Sequence, residues 1–165
     1  LTPTETIFEH WNSKKVRGNK WKGHKVLLPH MKTAIQKALK QYGLEILKQA
    51  VDNYAKVLLG REYKWSYAWT LFEFFTRHKP EQRQELQLYR WIDFYEEDYY
   101  SEGHIKKQQH KREIERAKKD LYDHYNEFPT ERLEKMKQDR YYKAYFNVID
   151  KIIAERTIHP NTDED

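Results

Sequence analysis

Residues 29–60 read PHMKTAIQKALKQYGLEILKQAVDNYAKVLLG, and the fold class turns on this stretch. Met31, Ile35, Ala38, Leu39 and Tyr42 recur at helical spacing, and so do Leu47, Ala50, Val51, Tyr54 and Leu58. Each set lays one apolar stripe along an α-helix, because residues three and four apart share a face. Pro29 suits a helix start, where its missing N–H would have no partner anyway. Gly43 and Gly60 suit helix ends, where left-handed backbone is common. A break of one residue at Gly43 predicts two helices packed as a hairpin, about Pro29–Tyr42 and Leu44–Leu59.

Upstream, Thr2-Pro3-Thr4-Glu5 predicts a capped helix that buries Ile7, Phe8 and Trp11. Lys14 to Lys25 then runs without apolar period and contains Gly18 and Gly23, so it reads as a loop. Downstream, Arg61 to Trp69 is aromatic and irregular, and Thr70-Leu71-Phe72-Glu73 is a second capping box opening a short helix. After Pro80, the positions Leu88, Ile92, Tyr95 and Tyr99 predict a fifth helix ending near Gly103. A charged helix follows on Ile114, Ala117, Leu121 and Tyr125. Pro129 breaks it, and Thr130 is expected to cap a last long helix burying Leu133, Met136, Ala144, Tyr145, Val148, Ile149 and Ile152. No β alternation of useful length appears. The expectation is an all-α fold of about six to seven helices, a helical hairpin core followed by longer C-terminal helices. Its organisation is expected as a helical region over 1–79, a helical extension over 80–160 and an acidic frayed tail over 161–165.

Composition narrows the chemistry. The 165 residues include 13 Tyr, 7 Phe and 5 Trp, large side chains that let a chain of 38% hydrophobic content hold a core. The absence of Cys excludes disulfides, thiolate metal sites and cysteine nucleophiles. No HExxH, GxSxG, phosphate loop or Gly-rich nucleotide motif occurs, and the eight His have no metal-ligand spacing. Glu96, Glu97 and Asp98 are adjacent, so on a helix they would diverge rather than converge on Mg²⁺. A binding protein without catalytic residues, metal or cofactor is expected. No apolar run approaches a membrane span, and a cytoplasmic location is expected.

Charge is segregated. Between His10 and Leu44 stand nine Lys or Arg and no acid, whereas the whole chain carries +5. The stretch Glu81 to Glu102 is net acidic, and Gly103 to Lys119 is again net basic. Such blocks suggest faces with different partners.

From Ile7 to about Phe75 the chain resembles the replisome-organiser, or DnaD-like, replication proteins of Gram-positive bacteria and their phages. The resemblance rests on Phe8-Glu9-His10-Trp11-Asn12, the Leu28–Tyr42 helix, Ala50-Val51-Asp52-Asn53-Tyr54-Ala55, and the run from Tyr63 through Trp69-Thr70-Leu71 to Phe75. It covers somewhat under half of the chain. It implies initiation of DNA replication by a protein that binds DNA and helps place a replicative helicase. Such proteins usually join an N-terminal winged helix to a helical C-terminal domain. No winged-helix pattern lies upstream here, as expected of a C-terminal region or a shortened relative, and the match stops before Pro80.

The candidate nucleic-acid-binding residues are Lys14, Lys15, Arg17, Lys20, Trp21, Lys22, Lys25 and Lys32. Their cations would neutralise phosphates without reading sequence. Trp21, if exposed between Lys20 and Lys22, would stack on an unpaired base; the alternative is that it packs back onto the core. Trp65 and Trp69 read more readily as core than as a second stacking platform. Lys106, Lys107, Lys111 and Arg112 begin a secondary basic surface that either extends phosphate binding or is a plain solvated face. The acidic stretch Asp93 to Tyr100 reads as a helix with Tyr inward, in preference to a docking face for a basic partner. Expected partners are DNA, single-stranded or duplex, a replicative helicase or its loader, and a further copy of the chain in a homo-oligomer, with no membrane. The alternative is a phage-encoded interaction module that binds a host replication or defence protein and does not touch DNA.

Overall fold

The computed structural model describes residues 1–159, so the expected acidic tail lies outside the described residues. The protein is all-α: eight α-helices and two short 3₁₀ helices, with no strand among the described residues. Two compact units divide at Ile105.

The first unit starts where Thr2 caps α1 (Pro3–Ser13), its hydroxyl accepting from Glu5 N–H while Glu5 accepts from Thr2 N–H. The hairpin pair follows as expected, α2 (Pro29–Tyr42) and α3 (Leu44–Leu59). Gly43 between them has φ +80°, a conformation costly for any residue with a Cβ. Thr70 and Glu73 form the second reciprocal cap, on α4 (Leu71–Thr76). Ile7, Ile35, Leu47, Val51 and Leu71 fill one continuous core with Trp11, Trp21, Tyr54, Trp69, Phe74 and Trp91. Tyr54 sits at its centre, where its hydroxyl donates to Tyr67 O at 2.8 Å and accepts from Trp69 N–H at 2.6 Å. Burial raises the Tyr54 phenol well above its ordinary range, so it stays a neutral donor.

The region after Pro80 departs from expectation. In place of one helix to Gly103, a turn leads to a four-residue α5 (Tyr89–Ile92) and a 3₁₀ helix (Glu96–Tyr99). Tertiary hydrogen bonds compete here with the helical ladder. Asn53 Nδ2 takes Trp91 O at 2.9 Å, Tyr99 O accepts from Lys64 N–H at 2.8 Å, and Glu62 O accepts from Ser101 N–H at 2.8 Å. The stretch Asp93 to Tyr100 is therefore not the ordinary helix expected of it. Leu88 and Trp91 are buried in the first core, which moves the division from 79/80 to 105/106. Gly103, expected as a stop, lies in the first turn of α6 (Glu102–Asn126).

In the second unit, Tyr125, Leu133, Met136, Ile149 and Ile152 are buried together. The last long helix is broken into α7 (Thr130–Met136), a 3₁₀ helix (Arg140–Tyr145) and α8 (Phe146–Ile158). Asp139 causes the break by turning its carboxylate onto Tyr141 N–H at 2.9 Å, a local bond that competes with continued helix. Ala144, expected inside, is exposed. Thr130 is the first helical residue, not the cap, and its hydroxyl serves Arg156. That guanidinium donates to Phe128 O and Thr130 Oγ1, both at 3.0 Å, and to Asn126 O at 2.7 Å.

Candidate nucleic-acid interface

The stretch from Lys14 to Lys25 has no secondary structure, yet its backbone is fixed at several points. Trp11 donates its indole N–H to Lys22 O at 2.8 Å. Asn12 clamps His24 like a strand partner, with Nδ2 on its carbonyl at 2.9 Å and Oδ1 accepting its N–H at 2.8 Å. Asn19 closes the inner turn through Lys14 O and Trp21 N–H. Gly18 at φ +84° supplies the left-handed residue that turn requires. The imidazole of His24 then ties the end of the loop to α4 by accepting Leu71 N–H at 3.1 Å. Burial, assisted by the nearby His30, lowers the His24 pKa and keeps this acceptor nitrogen free of a proton.

Trp21 is the main correction among the site residues. It is 1% exposed, with its ring 4.3 Å from Trp11 and 5.2 Å from Tyr54, so it cannot stack on a base. Its flanking lysines suggested exposure. In a loop, however, neighbours point in unrelated directions, and an indole gains far more from burial than from solvent. Trp21 is the plug that holds the loop to the core.

The cations fall into two groups. Lys14 is committed to Asp52 at 2.5 Å, beside His10 at 2.7 Å on the same oxygen. Burial would raise the Asp52 carboxyl, but Lys14 and His10 outweigh it and hold the group below the usual carboxylate range. Lys14 is thus a structural cation and not a free one. Lys15, Arg17, Lys20, Lys22, Lys25 and Lys32 are exposed, and the Lys15 ammonium donates to Asn19 O at 3.1 Å. Glu73 lies at the edge of this surface. Its carboxyl is held low first by the Thr70 N–H, with Lys22 and Arg77 adding to the effect.

Two residues outside the basic run join it in space. Arg61 and Trp65 line the same hollow as Gly18, Asn19 and Lys20. Trp69 is buried and Trp65 packs partly buried against the core, so both belong chiefly to the interior, as expected. In the second unit, Lys106, Lys107, Lys111 and Arg112 are exposed on α6, as are Arg116, Lys118 and Lys119. Residues 111–120 of α6 are exposed on every side. No group of three His, Asp or Glu able to hold a metal occurs among the described residues. No described helix is long and apolar enough to cross a membrane. Comparison with protein families, curated proteins and solved structures found no match to this chain.

Proposed function

We propose that this chain is a DNA-binding module of a phage-type replication-initiation protein, acting in the cytoplasm of a bacterial host. The observation that carries the reading is the anchored, acid-free loop from Lys14 to Lys25, which holds Lys15, Arg17, Lys20, Lys22 and Lys25 at the surface. Fixed cations on a folded loop suit a polyanion of regular charge spacing, and phosphate neutralisation with counterion release supplies the affinity. The basic residues of α6 offer a second set of phosphate contacts. The link to replication, and to a helicase or loader as partner, comes from the sequence resemblance. It gives the binding its purpose: marking where a helicase is to be placed.

Fluorescence-anisotropy titration of labelled DNA across a salt series tests the reading, with a Lys20→Ala, Lys22→Ala, Lys25→Ala variant for comparison. Binding by the parent is expected to fall steeply with salt, and the variant's log–log salt slope to be smaller by roughly 2 to 3, at ~0.9 per lost phosphate contact on duplex. A folded parent that fails to bind DNA at low salt would sink the proposal and redirect the search to a protein partner.

A further inference from the structure

The first unit contains an open hollow of about 520 Å³ where the basic loop meets the end of α3. Gly18, Asn19 and Lys20 line it from the loop, and residues 58–61 line it with Tyr63 and Trp65 from the other side. We infer that this hollow receives one unpaired nucleotide of a DNA strand, its base against Trp65 and its phosphate on Lys20 and Arg61. The inference rests on the DNA-binding reading above and adds what kind of strand the site prefers.

Four features carry it. First, the lining holds two cations and no acid. The carboxylate nearest the Tyr63 hydroxyl, Glu96, is engaged by that hydroxyl and by Lys56 at 2.8 Å, which offsets its charge. Second, Trp65 is partly exposed, whereas the other four tryptophans are all buried. Third, that ring is already fixed. Trp69 and Trp91 meet it edge to face at 5.4 and 5.3 Å, the Arg90 guanidinium lies 5.1 Å from its centre, and its N–H bonds Tyr67 O at 3.0 Å. With its N–H satisfied, Trp65 contributes to the lining an aromatic side chain with no unmet hydrogen bond, and aromatic contact is what every base can use regardless of identity. Fourth, the hollow has the size of small-ligand sites, and at Gly60 its wall has no room for a side chain. A Cβ on Gly60 would stand 2.6 Å from the Tyr63 ring. A base still stacked in duplex cannot enter, so occupancy requires an unpaired nucleotide.

The test compares a short single strand, an abasic strand of equal length, a duplex and a free mononucleotide, read by anisotropy and by tryptophan emission. The parent should bind the normal strand about tenfold more tightly than the abasic one, with emission quenched by the normal strand alone. Trp65→Leu should abolish both the preference and the quenching while retaining affinity for the abasic strand. Should Trp65→Leu fail to fold, Arg61→Ala keeps the question open to measurement, because Arg61 is exposed. It should weaken single-strand binding and quenching, whereas Lys64→Ala, outside the lining, should not. Equal affinity of the parent for normal and abasic strands would overturn the hollow as a nucleotide site and leave phosphate binding intact. Absence of binding to every DNA would overturn both readings. Saturable quenching by the mononucleotide without strand binding would reassign the site to a free nucleotide and overturn the strand.

Discussion

The first unit buries Trp11, Trp21, Trp69 and Trp91 in one core, whereas the second has no tryptophan and closes over Tyr125, Leu133, Met136, Ile149 and Ile152. Large aromatic rings bury much surface per residue, so the first unit can leave its lysine-rich loop at the surface and still be held from within. The second unit has less apolar surface to bury and ties its chain with polar bonds instead. Arg156 links the end of α6, the turn at Phe128 and the start of α7, while Tyr122 bonds Glu155 and Lys137 pairs with Asp150. A small apolar core is marginal on its own, and the guanidinium that serves three carbonyl and hydroxyl acceptors concentrates stability on one side chain.

All five tryptophans precede Ile105, so emission reports the first unit alone and the contrast can be tested directly. The largest effect is expected from Trp21→Ala. Removing a fully buried indole should cost about 3–5 kcal/mol and lower the denaturation midpoint seen by emission. An unmoved midpoint would show that the aromatic plug does not hold the loop to the core. Next comes Arg156→Met, which leaves Phe128 O, Thr130 Oγ1 and Asn126 O without their donor. A loss of about 2–3 kcal/mol is expected in the part of the far-ultraviolet ellipticity transition that emission does not follow. If both transitions shift together, the two units unfold as one and the contrast fails.

The smallest effect concerns His24. Its pKa is lower in the folded protein than in the unfolded chain, so the unfolded state binds the proton more readily. The contribution of His24 to stability is therefore complete above its unfolded value near 6.5 and is lost as the pH falls through its folded value. His24→Gln keeps an acceptor for Leu71 N–H but does not titrate. Its emission-detected midpoint should fall less than the parent's on going from about pH 7 to about pH 5. Identical pH profiles for parent and variant would remove His24 as the source.

Much of the helical framework was legible because its signals are local. Thr2 with Glu5, Thr70 with Glu73, and Gly43 at the hairpin each act over a few residues, and each stands where the sequence placed it. The misread segments are those in which distant groups intervene. Leu88, Ile92, Tyr95 and Tyr99 keep helical spacing, yet Asn53 and Lys64 draw the backbone of Trp91 and Tyr99 out of a helical ladder. Asp139 breaks the last helix through its own side chain, a signal present in the sequence and outweighed there by the apolar period around it. The exposed cations of the loop could be read from their number and the absence of acids. The partners of Lys14 and the burial of Trp21 could not, since Asp52 and Tyr54 lie more than thirty residues away. Asn12 and Asn19 were the overlooked clue, because side-chain amides of this kind often stitch irregular backbone together. The hollow joins residues near 18 to residues near 60, a proximity that periodicity does not encode.

The stitched loop has a thermodynamic consequence. A basic arm that is disordered until it meets a polyanion loses its chain entropy at that moment, and its binding shows the large heat-capacity change of coupled folding. Here Asn12, Asn19 and Trp21 fix the backbone when the protein itself folds. A polyanion bound there would have to order only the ends of lysine and arginine side chains. If the proposed DNA binding holds, its free energy would be dominated by released ions, with little temperature dependence of the enthalpy.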